Sequence, residues 1–448
     1  MSRRVVVTGL GCITPIGHTV RESWRNLLAS KSGIIPITEL ENYNNDYRPF
    51  TKYIPPKVAV GKVPPFSKEI KELSDALITS QEERKYSQFI KLSILTSYEA
   101  LKDADLLSTN SSLPNPAINT SLCNLDRFGC IIGSGIGSIG DIYSTSLQFH
   151  ENDPKKKISP FFIPKILTNM AAGNVSIKFN LRGPSHSVST ACATGNNAIG
   201  DAYNFIKLGM QDICIAGASE SSILPLSLAG FLRAKSITPD GISRPFDIER
   251  NGFVLGEGSG MLVLESLEHA QNRGAKIYCE LKGYGLSCDA YHITSPSPSG
   301  DGAKRAMEMA LSMSDIEIYD IDYVNAHATS TQLGDSTEIE AIISALIPPS
   351  RVNPLYISSN KGSVGHQLGA AGAVESIFTI LSLRNGIIPH TLNLKNQLHL
   401  ESIQGNPDTL SFVKGVPSRP KKLEYALSNS FGFGGVNTSL LFKKWEQC

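Results

Sequence analysis

The order of elements along this chain constrains its fold more than any other feature. β-Branched, strand-like runs alternate with stretches whose apolar residues recur at i, i+3, i+4 spacing, and the order occurs twice. The first half holds a glycine-punctuated run at Val5–Gly11, a run leading into Gly133-Ser134-Gly135, a strand–turn–helix over Ser187–Gly209 and a glycine-rich strand pair over Phe253–Glu265. The second half runs through Glu280–Gly285, Tyr323–Thr331, Tyr356–Leu383 and Tyr425–Phe442. Such alternation predicts an α/β fold. The repetition predicts two similar halves, 1–268 and 269–448, with a site that draws residues from both. Two polar segments, 38–80 and 107–126, interrupt the pattern and are expected to be surface insertions without catalytic residues.

Composition narrows the function classes. A chain of 448 residues, 41% hydrophobic and 19% charged, can bury a large core. With 42 Lys+Arg against 41 Asp+Glu, nothing pulls it globally toward nucleic acid or an anionic membrane. No apolar run approaches the ~18 residues of a spanning helix. Eight cysteines without a C-x-x-C exclude a disulfide scaffold and a structural zinc site. Most lie in apolar, strand-like surroundings and are expected to be buried free thiols. The first β-branched run starts at Val5, which leaves no evident targeting peptide.

Chemistry concentrates at a few motifs. In Ser187-Val-Ser-Thr-Ala-Cys-Ala-Thr-Gly195 an alternating strand ends and a helix of small residues begins. Cys192 is placed at the turn beside the helix N-terminus, where unpaired N–H groups favour a thiolate. His327, in Asn-Ala-His-Ala-Thr-Ser-Thr331, and His366, in Asn360-Lys-Gly-Ser-Val-Gly-His, occupy matched strand-to-helix loops. Such loops collect at the carboxyl edge of a sheet, where ligands bind. Lys361 shares the second loop. Asn429-Ser-Phe-Gly-Phe-Gly-Gly435 permits close backbone approach and exposes N–H groups, as an oxyanion hole requires. Gly135-Ile-Gly-Ser-Ile-Gly140 matches a dinucleotide-binding turn, but Glu151 and Asp153 fall in a loop and not at the end of the next strand.

Taken together, the motifs around Cys192, His327, His366 and Asn429–Gly435 resemble those of the elongating β-ketoacyl-[acyl-carrier-protein] synthases, with closest likeness to the mitochondrial synthase of fungi. The resemblance spans nearly the whole chain. It implies a thiolase-like fold of two pseudo-symmetric halves in α-β-α-β-α layers and a Cys-His-His triad. By this resemblance Cys192 takes the acyl group from acyl carrier protein, malonyl-carrier protein loses CO2, and the enolate attacks the acyl-enzyme. His327 and His366 would stabilise the enolate oxygen, Lys361 would tune the electrostatics, and Glu375 would be a structural carboxylate. The amides of Cys192 and Phe431 would form the oxyanion hole, with Phe431 also the gate to the acyl pocket. Thr329 and Thr331 would hold the phosphopantetheine arm, and Ile136 would bear on chain length. Arg84, Lys85, Lys156, Lys157 and Lys235 match positions that dock the acidic carrier. Ala328 stands where the family often has Gly, which narrows the pantetheine path slightly.

The resemblance further implies a homodimer that works without metal or organic cofactor, in mitochondria or alternatively the cytoplasm. Other readings fit less well. A thiolase needs a second cysteine near Asn429–Gly435, which has none. Starter-unit synthases pair His with Asn, whereas His366 is present here. A non-catalytic chain-length partner lacks the nucleophile. A stand-alone polyketide-type ketosynthase shares the chemistry. An NAD-dependent oxidoreductase would rest on Gly135–Gly140 alone.

Overall fold

The computed structural model describes residues 3–110, 112–152, 157–398 and 409–446. The strands of the first half are β1 (Val5–Ile13), β2 (Ile34–Pro36), β3 (Ala59–Gly61), β4 (Phe128–Gly133), β5 (Ser185–His186), β6 (Ile213–Glu220), β7 (Leu255–Gly256) and β8 (Gly258–Ser266). Those of the second are β9 (Cys279–Cys288), β10 (Tyr323–Asn325), β11 (Leu355–Ser358), β12 (Leu410–Phe412), β13 (Tyr425–Gly432) and β14 (Val436–Lys444). Eleven of them form one sheet in the order β12-β11-β10-β13-β14-β9-β1-β8-β6-β4-β5; β2, β3 and β7 form a small second sheet.

The order repeats about the β9–β1 junction. Outward from it, β1-β8-β6-β4-β5 and β9-β14-β13-β10-β11 each pair antiparallel, antiparallel, parallel, parallel. Every residue of β1 is buried, as a strand covered on both faces requires. Helices Thr194–Lys207 and Ala371–Asn385 lie between the halves and contact strands of both. Gln88–Asp103 and Met170–Phe179 cover the first half outside, and Asp301–Ser312 and Gln332–Leu346 flank the second. This is the expected layered, thiolase-like architecture.

The two inner helices meet at a glycine on each. A Cβ on Gly195 would lie 2.5 Å from the Ala373 nitrogen, and one on Gly372 would lie 2.7 Å from Asn196 Oδ1. That close approach brings the loop before one helix against the loop before the other.

Three local expectations are corrected. Phe253–Glu265 is not a strand pair: β8 pairs with β6, and helix Pro225–Arg233 separates two strands that form a hairpin, β13–β14, in the second half. The strand before Cys192 stops at His186. The first polar segment is no mere surface insertion. Leu40, Tyr47, Ile54 and Val58 are buried in the same apolar cluster as Cys192, and the Tyr47 hydroxyl donates to the Ile223 carbonyl at 3.2 Å. Its polar residues face out while widely spaced apolar ones turn in, a pattern without a period to reveal it. Of the second segment, Ile118 and Cys123 are buried.

Candidate active site

Cys192 sits in a 3₁₀ turn, Ala191–Ala193, just ahead of helix Thr194–Lys207. Ala191 has φ +50°, a left-handed conformation that costs a non-glycine residue about 1–3 kcal/mol. Hydrogen bonds brace this elbow. Thr194 Oγ1 accepts from the Thr190 amide (2.9 Å) and donates to the Ala191 carbonyl (2.8 Å). Asn197 Nδ2 donates to Thr190 Oγ1 (2.7 Å), and Tyr284 from the second half donates to Asn197 Oδ1 (2.8 Å).

His366 reaches the nucleophile from the other half. Its backbone bridges to the first half: its amide donates to the Val254 carbonyl (2.7 Å), and its carbonyl accepts from the Gly256 amide (2.8 Å). Its Nε2 lies 2.9 Å from Cys192 Sγ. The ring stands edge-on to Phe253 at 5.1 Å and to His327 at 5.4 Å between centroids. His327 lies two residues beyond β10, and its ring packs against Phe431 at 5.6 Å.

Charge around the triad is arranged by buried groups. Lys361, fully buried, donates to the His327 carbonyl and pairs with Glu375. Burial, then the Lys361 ammonium, holds both imidazoles well below their ordinary value, so both are neutral at neutral pH; for His327 the second imidazole adds to this. Burial pushes the Cys192 thiol up to about 12, opposed by Lys361 and by the Phe433 amide. The expected helix-stabilised thiolate is therefore corrected. Burial raises the thiol and lowers the imidazole, which favours a resting pair of thiol and neutral imidazole.

A cavity of 410 Å³ opens onto Cys192, His327, His366 and Phe431. Thr329 and Thr331 line it, their hydroxyls 3.1 Å apart, as do Ala328, Ile136 and Lys235. The structure thus gathers Cys192, both histidines, Lys361, Glu375, Phe431, Ile136 and the two threonines at one place. One role moves: the amide beside the thiol is that of Phe433, not Phe431, which lies within β13 opposite Asn437. Phe433 is 37% exposed and also lines the cavity. The run Phe-Gly-Phe-Gly-Gly offers two phenylalanines, and only the end of the strand ladder distinguishes them.

Of the expected docking cations, Arg84, Lys157 and Lys235 are exposed. Lys85 is half-buried with its ammonium 5.5 Å from the Phe161 ring, just past Lys157. Lys156 lies outside the described residues. The glycine run is not poised for a dinucleotide: its Gly135 amide donates to Glu220 (2.8 Å) and its Gly137 amide to Ser134 Oγ (3.1 Å). Seven cysteines are free thiols, six of them buried as expected and Cys288 exposed; Cys448 is outside the described residues.

Glu338 was not foreseen. Its carboxylate accepts from the amides of His327 (2.9 Å) and Ala328 (2.7 Å) and from Asn429 (3.3 Å), tying the histidine loop to the glycine-rich loop. Asp335 and Glu338 interrupt an otherwise apolar face of helix Gln332–Leu346, and that was the available signal. Among the described residues no cluster of three or more His, Cys, Asp or Glu could hold a metal ion. No described helix is long and apolar enough to cross a membrane.

Comparison with known proteins agrees with this geometry. The family "Beta-ketoacyl synthase, N-terminal domain" matches residues 2–270, and "Beta-ketoacyl synthase, C-terminal domain" matches 278–395. The chain is 66% identical to a 3-oxoacyl-[acyl-carrier-protein] synthase homolog of Saccharomyces cerevisiae, over 100% of both chains. It is 44% identical to the mitochondrial 3-oxoacyl-[acyl-carrier-protein] synthase of Arabidopsis thaliana, over 98% of this chain and 93% of that one. Among solved structures, a β-ketoacyl synthase from Burkholderia phymatum superposes with a TM-score of 0.82 at 29% identity, covering 99% of this chain and 100% of that one. The chain belongs to the β-ketoacyl-[acyl-carrier-protein] synthases, the acyltransferases of the elongating class.

Proposed function

We propose that this enzyme condenses acyl-[acyl-carrier-protein] with malonyl-[acyl-carrier-protein], giving 3-oxoacyl-[acyl-carrier-protein], CO2 and free carrier, in type II fatty acid synthesis. The observation that carries this reading is the 2.9 Å approach of Cys192 Sγ to a neutral His366 Nε2, inside a cavity that His327 also lines.

In the first half-reaction Cys192 Sγ attacks the acyl thioester carbonyl while its proton passes to His366 Nε2. The amides of Cys192 and Phe433 receive the oxyanion, and the carrier's pantetheine thiolate departs with a proton. Malonyl-carrier then enters with its thioester oxygen between the two imidazoles. Its carboxylate leaves as CO2, and the electrons of the broken C–C bond become an enolate. Neutral imidazole N–H groups donate to that oxygen as charge develops, His366 by then in the tautomer with its proton on Nε2. The enolate carbon attacks the acyl-cysteine carbonyl, the C–S bond breaks, and Cys192 leaves as a thiolate that takes one proton from solvent to restore the resting thiol. Thr329 and Thr331 hold the pantetheine amides, Ile136 bounds the acyl chain, and Arg84, Lys85, Lys157 and Lys235 meet the acidic carrier, as Lys156 would. The first half, 1–268, supplies the nucleophile and the second, 269–448, the two histidines. With that one proton from solvent the steps balance from the two thioesters, and no metal or organic cofactor is assigned.

The enzyme is proposed to act in mitochondria, as two relatives, from Arabidopsis thaliana and Schizosaccharomyces pombe, are named mitochondrial. It is proposed to act as a homodimer: β5, two residues long, leaves the sheet edge open, and Ile142, Phe149, Ile163 and Ile177 are exposed on helices of the same half. The test is purified enzyme with malonyl-carrier and a ladder of acyl-carriers, beside Cys192→Ala. Wild type is expected to yield products two carbons longer, with the acyl group found on Cys192 by mass spectrometry. Condensation by Cys192→Ala, or an acyl group on another cysteine, would overturn the reading.

A further inference from the structure

The last residue of β6, Glu220, is fully buried, and the steps above do not use it. No ion pair neutralises it among the described residues. One carboxylate oxygen accepts from the Gly135 amide at 2.8 Å and the Gly369 amide at 3.3 Å. The other accepts from the hydroxyls of Ser222 (2.8 Å) and Ser134 (3.3 Å). Gly135 precedes Ile136 in the first half; Gly369 follows Leu368, three residues after His366, in the second. Both Ile136 and Leu368 line the cavity.

The two glycine loops touch. A Cβ on Gly369 would lie 2.5 Å from the Gly135 nitrogen, and one on Gly135 would lie 2.9 Å from Glu220 Oε2 and 3.4 Å from the Ala191 carbonyl. The loops bearing the pocket wall and the base thus converge on a single carboxylate, with the nucleophile loop packed against Gly135. Leu368, at φ +48°, and Ala191 are both held in left-handed backbone at this junction.

We propose that Glu220 is a positioning residue for acyl-chain specificity, tying the Ile136 loop of one half to the His366–Leu368 loop of the other. The distance from Cys192 to the wall that meets the acyl chain is then set by this clamp. A carboxylate suits the task because both its oxygens only accept. A glutamine in its place has one accepting oxygen and presents N–H donors to an amide or a hydroxyl, so part of the clamp opens. The proposal rests on the acyl-pocket reading above, and the experiment separates the two.

The experiment compares wild type, Glu220→Gln and the milder Ser222→Ala in two measurements. Amide hydrogen exchange of the segments around Gly135 and Gly369 is expected to rise in both together in Glu220→Gln. The same trend, smaller, is expected in Ser222→Ala, which also serves if Glu220→Gln does not fold. Over a ladder of acyl-carrier substrates, the kcat/KM ratio between short and long chains is expected to change about tenfold or more, the scale of one methylene in an apolar pocket. KM for the carrier, which docks outside, stays unchanged. Exchange unchanged at either segment overturns the clamp. Exchange raised with an unchanged chain-length profile, or a uniform loss along the ladder, overturns the specificity role. A wild type that condenses no member of the ladder overturns the functional reading, while the exchange result still decides the clamp.

Discussion

Replacing Lys361 by methionine removes the only cation paired with Glu375 among the described residues and leaves a carboxylate that is 2% exposed. Breaking a buried pair from one side costs about 3–5 kcal/mol, because the carboxylate left behind must stay charged without its partner or take up a proton, and burial already raises Glu375 to about 7. A chain of 448 residues unfolds with about 2.1 cal/mol/K per residue, so each kcal/mol moves Tm by about 1 °C and the fall should be about 3–5 °C. The double variant Lys361→Met, Glu375→Gln should regain most of this, since no buried charge is then stranded. The pH profile carries a second, independent expectation. Lys361 is, after burial, the main group holding both imidazoles neutral. Without it their values rise toward the ordinary one, protonation begins at higher pH, and a protonated His366 cannot take the thiol proton. The acid limb of Cys192 acylation, followed by single-turnover kinetics from about pH 5 to 8, should therefore move to higher pH. Because both histidines lie below their unfolded values, wild-type stability rises with pH up to the ordinary imidazole range and is lost as pH falls below it; the variant should show a weaker dependence. An unmoved acid limb, or a double variant no more stable than the single, would refute the electrostatic reasoning.

Gly195→Ala should destabilise by about 1–3 kcal/mol, since its Cβ would meet Ala373 backbone, and should slow Cys192 acylation by spreading the two inner helices; an unchanged Tm and rate would show that the helices can part freely. Lys85→Glu with Lys157→Glu should raise KM for acyl-carrier protein severalfold and leave KM for a small acyl thioester unchanged, as measured by steady-state kinetics. Equal effects on both substrates would remove these residues from the carrier surface.

The readable parts of the sequence were local ones. A nucleophile at a strand–helix turn, histidines on matched loops and a glycine-rich return before the last strand each follow from neighbouring residues and backbone physics. Glu338 and Glu220 were hidden because their partners are backbone amides 11 and 85 residues away, and amides carry no side-chain signature. The burial of Tyr47 and Ile54 was hidden because irregular segments have no period.

By itself the sequence determined the α/β class, the twofold repetition and the loops that carry Cys192, His327 and His366, since these depend on short-range pattern and side-chain type. Only the tertiary structure decided the protonation of the triad and the amide that faces the sulfur. Both depend on burial and on where a strand ladder ends. Crossing the inner helices at Gly195 and Gly372 places Cys192 and His366, 174 residues apart, at 2.9 Å in a desolvated pocket, and desolvation turns an expected thiolate into a thiol beside a neutral imidazole.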